Sequence, residues 1–109
     1  MQIVVEQHPL LDVALLQTKW PVEIGQMDTL YDLDTWYSRD AEPPFNRPDH
    51  IKPPVRDLLR VGGFKPSGRS KPACEYLVSA VEKGKMGSIN PAVDCCNVAS
   101  LYAGLPISV

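Results

Sequence analysis

Hydrophobic positions in the second half of the chain recur with the three- and four-residue spacing that is typical of helices. The pattern predicts helices over residues 54–61, 72–83 and 91–103. Each of these segments begins at a proline and ends next to a glycine, which are common residues at the two ends of helices. The third segment is apolar on most of its sides, and this pattern indicates a buried helix.

Three polar residues interrupt the apolar surface of the third helix or precede it, namely Asn90, Asp94 and Asn97. Their spacings of four and three place them on one face of a helix. Buried polar groups need hydrogen-bond partners. We therefore expect Asp94 and Asn97 to tie neighbouring loops, or another part of the protein, to this helix.

The first half of the chain carries shorter apolar runs that favour strands. Residues 2–6 are apolar and β-branched, and residues 12–19 form a second apolar run that ends at Trp20-Pro21. The length of the second run suits a buried strand better than a helix, although periodicity alone leaves both possible. The chain is thus predicted to be an α+β protein, with N-terminal strands followed by three helices.

Residues 25–54 give weaker signals. Apolar residues recur at helical spacing within residues 25–40, which predicts a short helix with Asp28 as a candidate N-cap. They are Leu30, Leu33, Trp36 and Tyr37. Residues 41–54 contain five prolines and predict a locally extended surface loop.

Charge is distributed unevenly along the chain, although the net charge is only −2. Residues 1–51 have three basic and nine acidic side chains, whereas residues 52–85 have eight basic and three acidic ones. Such a division can mark a phosphate-binding surface, or it can simply provide two solvated faces that attract each other. A basic loop at residues 64–71 is the best candidate for phosphate, because cations and hydroxyls surround Gly68 there. An ordinary basic turn between two helices is the alternative.

The remaining composition argues against several classes of protein. There is no apolar run of about 18 residues that could cross a membrane, and no signal peptide is recognisable, so we expect a cytoplasmic protein. The three cysteines, Cys74, Cys95 and Cys96, have neither a disulfide framework nor metal-ligand spacing. We expect all three to be small buried hydrophobes, and we expect no metal and no cofactor.

An ordered set of short motifs runs through residues 52–109. In order, they are Val55-Arg56-Asp57-Leu58-Leu59-Arg60-Val61, Pro66-Ser67, Glu75-Tyr76-Leu77, Ile89-Asn90-Pro91-Ala92-Val93-Asp94, Asn97, Ser100-Leu101 and Gly104-Leu105-Pro106. Together they resemble the B3/B4 domain, which is the editing module of the bacterial phenylalanyl-tRNA synthetase β chain and also occurs in stand-alone proteins. The resemblance implies that residues 1–109 form one B3/B4-like domain or its N-terminal half. In this division, residues 1–51 supply strands and a proline-rich loop, and residues 52–109 supply the helical core.

The family domain is longer than this chain, so we expect a B3/B4-like fold that is incomplete at its C-terminus. A second copy or a partner chain could then complete it. In the family, this domain hydrolyses the ester of an amino acid wrongly attached to tRNA. The resemblance therefore implies binding of tRNA or of an aminoacyl-tRNA acceptor end, with possible deacylation.

By the resemblance, one group of residues would contact phosphates and another would organise the pocket floor. The phosphate contacts would be Arg56, Arg60, Lys65, Ser67 and Arg69, and the floor would be Asn90, Asp94 and Asn97. No catalytic residue is indicated, and whether the chain is an enzyme stays open. The alternatives are a non-catalytic interaction or oligomerisation module, and a hydrolase of small esters or amides.

Overall fold

Helices make up nearly all of the regular structure in the computed structural model, which describes residues 2–28, 32–38 and 49–108. The α-helices are α1 (Leu33–Trp36), α2 (Lys52–Val61), α3 (Ala73–Glu82) and α4 (Pro91–Ala103). Single turns of 3₁₀ helix lie at Ile24–Gln26 and Asp49–Ile51. The three longer helices lie where the hydrophobic pattern predicts them, within one or two residues at each end.

Local chemistry accounts for both ends of α4. Pro91 lies in the first turn, where a missing backbone N–H is tolerated, and the side chain of Asn90 accepts a hydrogen bond from the Val93 N–H at 3.0 Å. Gly104 ends the helix with a φ of 71°, a conformation that favours glycine. Its N–H bonds to the carbonyl of Ser100 at 3.0 Å. The Asn90 side chain therefore stabilises the start of α4, and glycine suits its end because it has no side chain.

The core lies where α1, α3 and α4 meet, and α3 and α4 are in extensive contact. Its buried cluster consists of Leu33, Tyr37, Val81 and Leu101. Leu101 is the most enclosed of these, with 1% of its surface exposed. The Tyr102 hydroxyl donates a hydrogen bond to the carbonyl of Trp36 and so joins α4 to α1. This short first helix is thus part of the packed unit.

Ser100 is a buried polar residue of α4 that fastens the segment after the helix. It is 1% exposed, and its hydroxyl donates to the carbonyl of Leu105 at 2.6 Å. This bond holds the segment after α4 against the helix. A buried hydroxyl without a partner would be costly, so the bond explains why a serine is tolerated in the core.

Replacement of Ser100 by alanine is expected to lower the free energy of unfolding by about 1 kcal/mol, because the Leu105 carbonyl loses its partner. Urea denaturation measures the change. Ser79→Ala, at a half-buried position of α3, is the matched control for the higher helix propensity of alanine. Equal behaviour of the two variants would mean that the bond to Leu105 contributes nothing.

The predicted N-terminal strands do not form, so the prediction of an α+β, B3/B4-like fold was wrong. Residues 2–19 are exposed and form no helix or strand, and the described residues contain no sheet. Two isolated bridges exist, between His8 and Leu11 and between Ser67 and Ser70. A strand is stable only when its backbone groups pair with a neighbour, and a two-stranded hairpin alone is marginal in water. Apolar, β-branched residues favour strands, but no neighbouring strand in the described structure pairs with residues 2–19.

Two other predictions for the first half have mixed outcomes. Among the described residues of 25–40, the α-helix is limited to α1, which follows Asp32 rather than Asp28 and lacks a side-chain cap. Residues 29–31 and 39–40 of the predicted helix lie outside the described residues. The proline-rich segment lies partly outside the described residues, since 41–48 are not among them. Its end is described, and there the 3₁₀ turn Asp49–Ile51 leads directly into α2, so the helix begins two residues before the expected Pro54.

Candidate nucleic-acid interface

Residues 65–71, which we name the basic turn, form a closed and anchored loop before α3. The Ser67 N–H donates to the Ser70 carbonyl at 2.9 Å, and the Ser70 N–H donates back to Ser67. The Tyr76 hydroxyl of α3 donates to the carbonyl of Arg69 and accepts from the Lys71 N–H at 3.4 Å. The backbone of the turn is therefore held from two sides, while its side chains extend into solvent.

The basic turn has two exposed cations that make no salt bridge with any described residue. Lys65 and Arg69 are exposed, and neither makes a salt bridge within the described part of the chain. Ser67 and Ser70 are exposed beside them. Two unpaired positive charges and nearby hydroxyls on a fixed backbone can contact a phosphate without first breaking a bond within the protein.

Arg56 has a different environment, because it is bound to α3. Its Nε and Nη2 donate to the two carboxylate oxygens of Glu75, each at 2.7 Å, and Lys52 lies 3.7 Å from the same carboxylate. These two hydrogen bonds hold the pKa of Glu75 below its usual value and raise that of Arg56. The sequence could not show this pairing, since Arg56 and Glu75 are 19 positions apart. Arg56 therefore joins α2 to α3.

Replacement of Glu75 by glutamine is expected to destabilise the protein at neutral pH and to make its stability less dependent on pH in acid. A carboxyl whose pKa is depressed in the folded state stabilises that state above its usual pKa of 4.5. That contribution is lost as the pH falls through the lower, folded-state pKa. Urea unfolding of both proteins between neutral and acidic pH measures the difference.

Glu82→Gln is the matched control for this prediction. Glu82 is exposed on the same helix and makes no salt bridge among the residues that the structure describes. We expect it to keep the pH dependence of the wild type. If Glu75→Gln did the same, the pair with Arg56 would contribute no stability.

Arg60 has an ion partner, as Arg56 has, but it is exposed, as Lys65 and Arg69 are. It pairs with Asp57 three residues earlier in α2, and both side chains are more than half exposed, at 53% and 66%. Exposed pairs of this kind are worth at most about 1 kcal/mol and are screened by salt. An approaching phosphate can therefore compete with Asp57 for Arg60.

The predicted pocket-floor residues are held by α4 and the turn before it. Asn90 caps the helix, and Asp94 is completely buried. The Oδ2 of Asp94 accepts from the Ser88 hydroxyl at 2.6 Å, and its Oδ1 accepts from the Ile89 N–H at 2.9 Å. Asp94 thus ties the preceding turn to the helix, in the way that a buried polar residue was expected to do. None of these hydrogen bonds reaches the basic turn.

Asn97 is half-buried and lies beside Tyr37, which the sequence placed only in the apolar pattern of the predicted short helix. The Tyr37 hydroxyl is buried and has no hydrogen bond of good geometry with any described residue. Burial raises the pKa of Tyr37, while the nearby Asn97 amide opposes the shift. The sequence did not predict the enclosed hydroxyl, because an aromatic residue in a weakly patterned segment gives no sign of how its polar end is surrounded.

A cleft of about 320 Å³ lies between the three longer helices. It is lined by Asp49, Lys52, Val55, Lys71, Cys74, Glu75, Val78, Ser79, Glu82, Leu101 and Gly104. Cys74 is buried in it, and burial raises the pKa of its thiol, which makes it a poor nucleophile. Cys95 is exposed and Cys96 is half-buried, so the expectation that all three cysteines are buried holds only for Cys74.

Among the described residues, no group of three or more His, Cys, Asp or Glu side chains is placed to hold a metal ion. None of the described helices has the length and apolar character needed to cross a membrane.

Comparisons with known proteins found no match: no family model, no curated protein and no solved structure matches this chain.

Proposed function

We propose that this protein binds tRNA through the basic turn, as part of an aminoacyl-tRNA editing system of the B3/B4 type. The observation that carries the proposal is the pair of unpaired cations, Lys65 and Arg69, on a backbone that Tyr76 anchors. A tRNA ligand is available in the cytoplasm, where we expect the protein to act.

The charge of the wider segment supports a polyanionic ligand. Residues 52–85 carry a net excess of five positive charges, and the partners in the structure account for only part of it. Lys65 and Arg69 provide the primary contacts in the proposal, and Arg60 adds a third after release from Asp57. Contacts to phosphates fix the position of a nucleic acid without reading its sequence.

The motif order supports the acceptor end of tRNA as the particular ligand. In the resembled family, the difficulty is tyrosine attached in place of phenylalanine, because an apolar pocket rejects one added hydroxyl poorly. An aminoacyl ester is already activated, so a site that positions the ester and a water molecule can hydrolyse it. Both oxygens of Asp94 accept hydrogen bonds from Ser88 and Ile89, and we assign it a positioning role within the protein rather than a role as base.

The first experiment measures binding of deacylated tRNA by fluorescence anisotropy. Removal of both unpaired cations, as Lys65→Gln with Arg69→Gln, is expected to weaken binding about 30-fold at physiological salt, since two phosphate contacts are lost. The matched control is Lys19→Gln with Lys83→Gln, which removes the same charge from exposed positions outside the basic turn. Equal loss in both variants would show non-specific attraction and contradict the proposal.

The second experiment separates binding from catalysis. Purified protein is incubated with Tyr-tRNA and Phe-tRNA, and release of each amino acid is followed over time. Faster release from Tyr-tRNA would support deacylation by this chain. Binding without release would support a tRNA-binding role, and failure of both would overturn the proposed function.

A further inference from the structure

Residues 2–19, which we name the N-terminal arm, form an exposed segment that takes no part in the described core. Every residue in it is exposed, including eight large apolar side chains. These are Ile3, Val4, Val5, Leu10, Leu11, Val13, Leu15 and Leu16. Isolated exposed apolar residues are normal on a protein surface, but a long run of them marks an interaction site.

The arm folds back on itself and encloses a groove. His8 and Leu11 form an isolated bridge, and the Leu10 N–H donates to the Nδ1 of His8 at 3.2 Å, so residues 8–11 form a tight turn. The two limbs of the arm are residues 2–7 and 12–19, on either side of this turn. The space between the limbs is a groove of about 790 Å³ with apolar and acidic walls. Val5, Leu11 and Val13 supply apolar surface, and Glu6 and Asp12 supply one carboxylate on each limb.

The chemistry of this groove requires an occupant with an apolar part and at least one cation. Neither Glu6 nor Asp12 makes an ion pair within residues that the structure describes. The loop between α3 and α4 offers the complement. It carries Lys83 and Lys85, both exposed and without a described ion pair, followed by Ile89, which is 70% exposed.

We propose that the loop of residues 83–89 from a second copy of this chain docks in the groove of the N-terminal arm, and that the exchange is reciprocal. A two-fold arrangement of this kind uses both surfaces of each copy, so neither arm nor loop stays uncovered. Each copy contributes the 18 residues of its arm and the seven of its loop. That total falls within the roughly 20–30 residues a side of a standard interface.

The test uses the whole chain and measures its mass in solution by sedimentation equilibrium, over about two decades of concentration. We expect a concentration-dependent dimer that weakens at high salt, because the ion pairs of the interface are exposed at its rim. A monomer at every concentration would overturn the proposal.

Charge reversal then identifies the interface. Lys83→Glu with Lys85→Glu, or Glu6→Lys with Asp12→Lys, is expected to raise the dimer dissociation constant at least about tenfold, since like charges face each other. In an equimolar mixture of the two variants, each loop meets an arm of opposite charge, so both interfaces of the mixed dimer are expected to be restored. The chain with all four changes is expected to restore both interfaces in its own dimer. Lack of restoration in that chain, with an unchanged circular dichroism spectrum, would contradict the pairing.

Two further variants keep the proposal independent of the tRNA site. Val5→Asp places a charge in the groove wall at a side chain that is 59% exposed, so it is expected to abolish the dimer without unfolding the helices. Lys65→Gln with Arg69→Gln is expected to leave the dimer unchanged. A dimer that survives Val5→Asp would place the interface elsewhere and overturn the proposal, whatever the outcome of tRNA binding.

Discussion

Replacement of Leu101 by alanine is expected to lower the free energy of unfolding by about 3 kcal/mol. Leu101 is 1% exposed and belongs to the cluster that joins α1, α3 and α4. Loss of its side chain removes apolar contact from all three helices at once and leaves a cavity. A domain of this size has a small free energy of unfolding, so a decrease of this magnitude should be clear in urea denaturation.

Leu105→Ala is the matched control, because it makes the same chemical change at a side chain that is 47% exposed. We expect it to cost less than about 1 kcal/mol. Leu101→Ala also tests whether the short helix α1 belongs to the cooperative unit. If the cluster is a single core, the loss of helicity and the change in tyrosine and tryptophan fluorescence occur at the same urea concentration. This holds for the variant as for the wild type. Equal costs at the two leucines would contradict the described core.

Asp94→Ala is expected to destabilise the protein by a similar amount, about 3 kcal/mol. Its buried carboxylate accepts hydrogen bonds from Ser88 and Ile89, and hydrogen bonds to a charged group are stronger than neutral ones. Alanine removes both and leaves unfilled space at the N-terminal end of α4. Thermal unfolding measures the decrease.

Asp94→Asn is the control for the same position. The asparagine keeps the shape of aspartate, its oxygen can still accept from the Ile89 N–H, and its NH₂ can donate to the Ser88 hydroxyl. We expect it to lie within about 1 kcal/mol of the wild type. The tRNA affinity of Asp94→Asn should also be unchanged where the protein is folded. A large loss of affinity in a stable Asp94→Asn protein would assign Asp94 a direct role in the site.

The sequence predicts the helices of this protein better than it predicts the rest, for a local reason. α3 and α4 are bounded by residues whose effect is felt within one turn, such as Pro91 and Gly104. The role of Asp94 was also accessible, because a charged residue in an otherwise apolar helix needs partners and its nearest neighbours in sequence supply them. Helical spacing and end signals are properties of the segment itself.

The N-terminal arm shows the limit of such reasoning. Its apolar, β-branched residues favour strands, but a strand is defined by a partner that the local sequence does not contain. The pairing of Arg56 with Glu75 is a similar case, since it depends on how α2 and α3 pack. The sequence alone did not distinguish among the four cations that were predicted to contact phosphates. The structure separates Lys65 and Arg69, which have no ion partner among the described residues, from Arg56 and Arg60, which have one.

The salt dependence of tRNA binding tests the central claim most directly. The logarithm of the association constant should fall linearly with the logarithm of the salt concentration, with a slope set by the number of phosphates contacted. If Lys65 and Arg69 each contact one phosphate, their replacement by glutamine reduces the magnitude of that slope by about 1.4 for single-stranded nucleotides to about 1.8 for a duplex. An unchanged slope in this variant, with its fold intact, would contradict the claim that the basic turn binds tRNA.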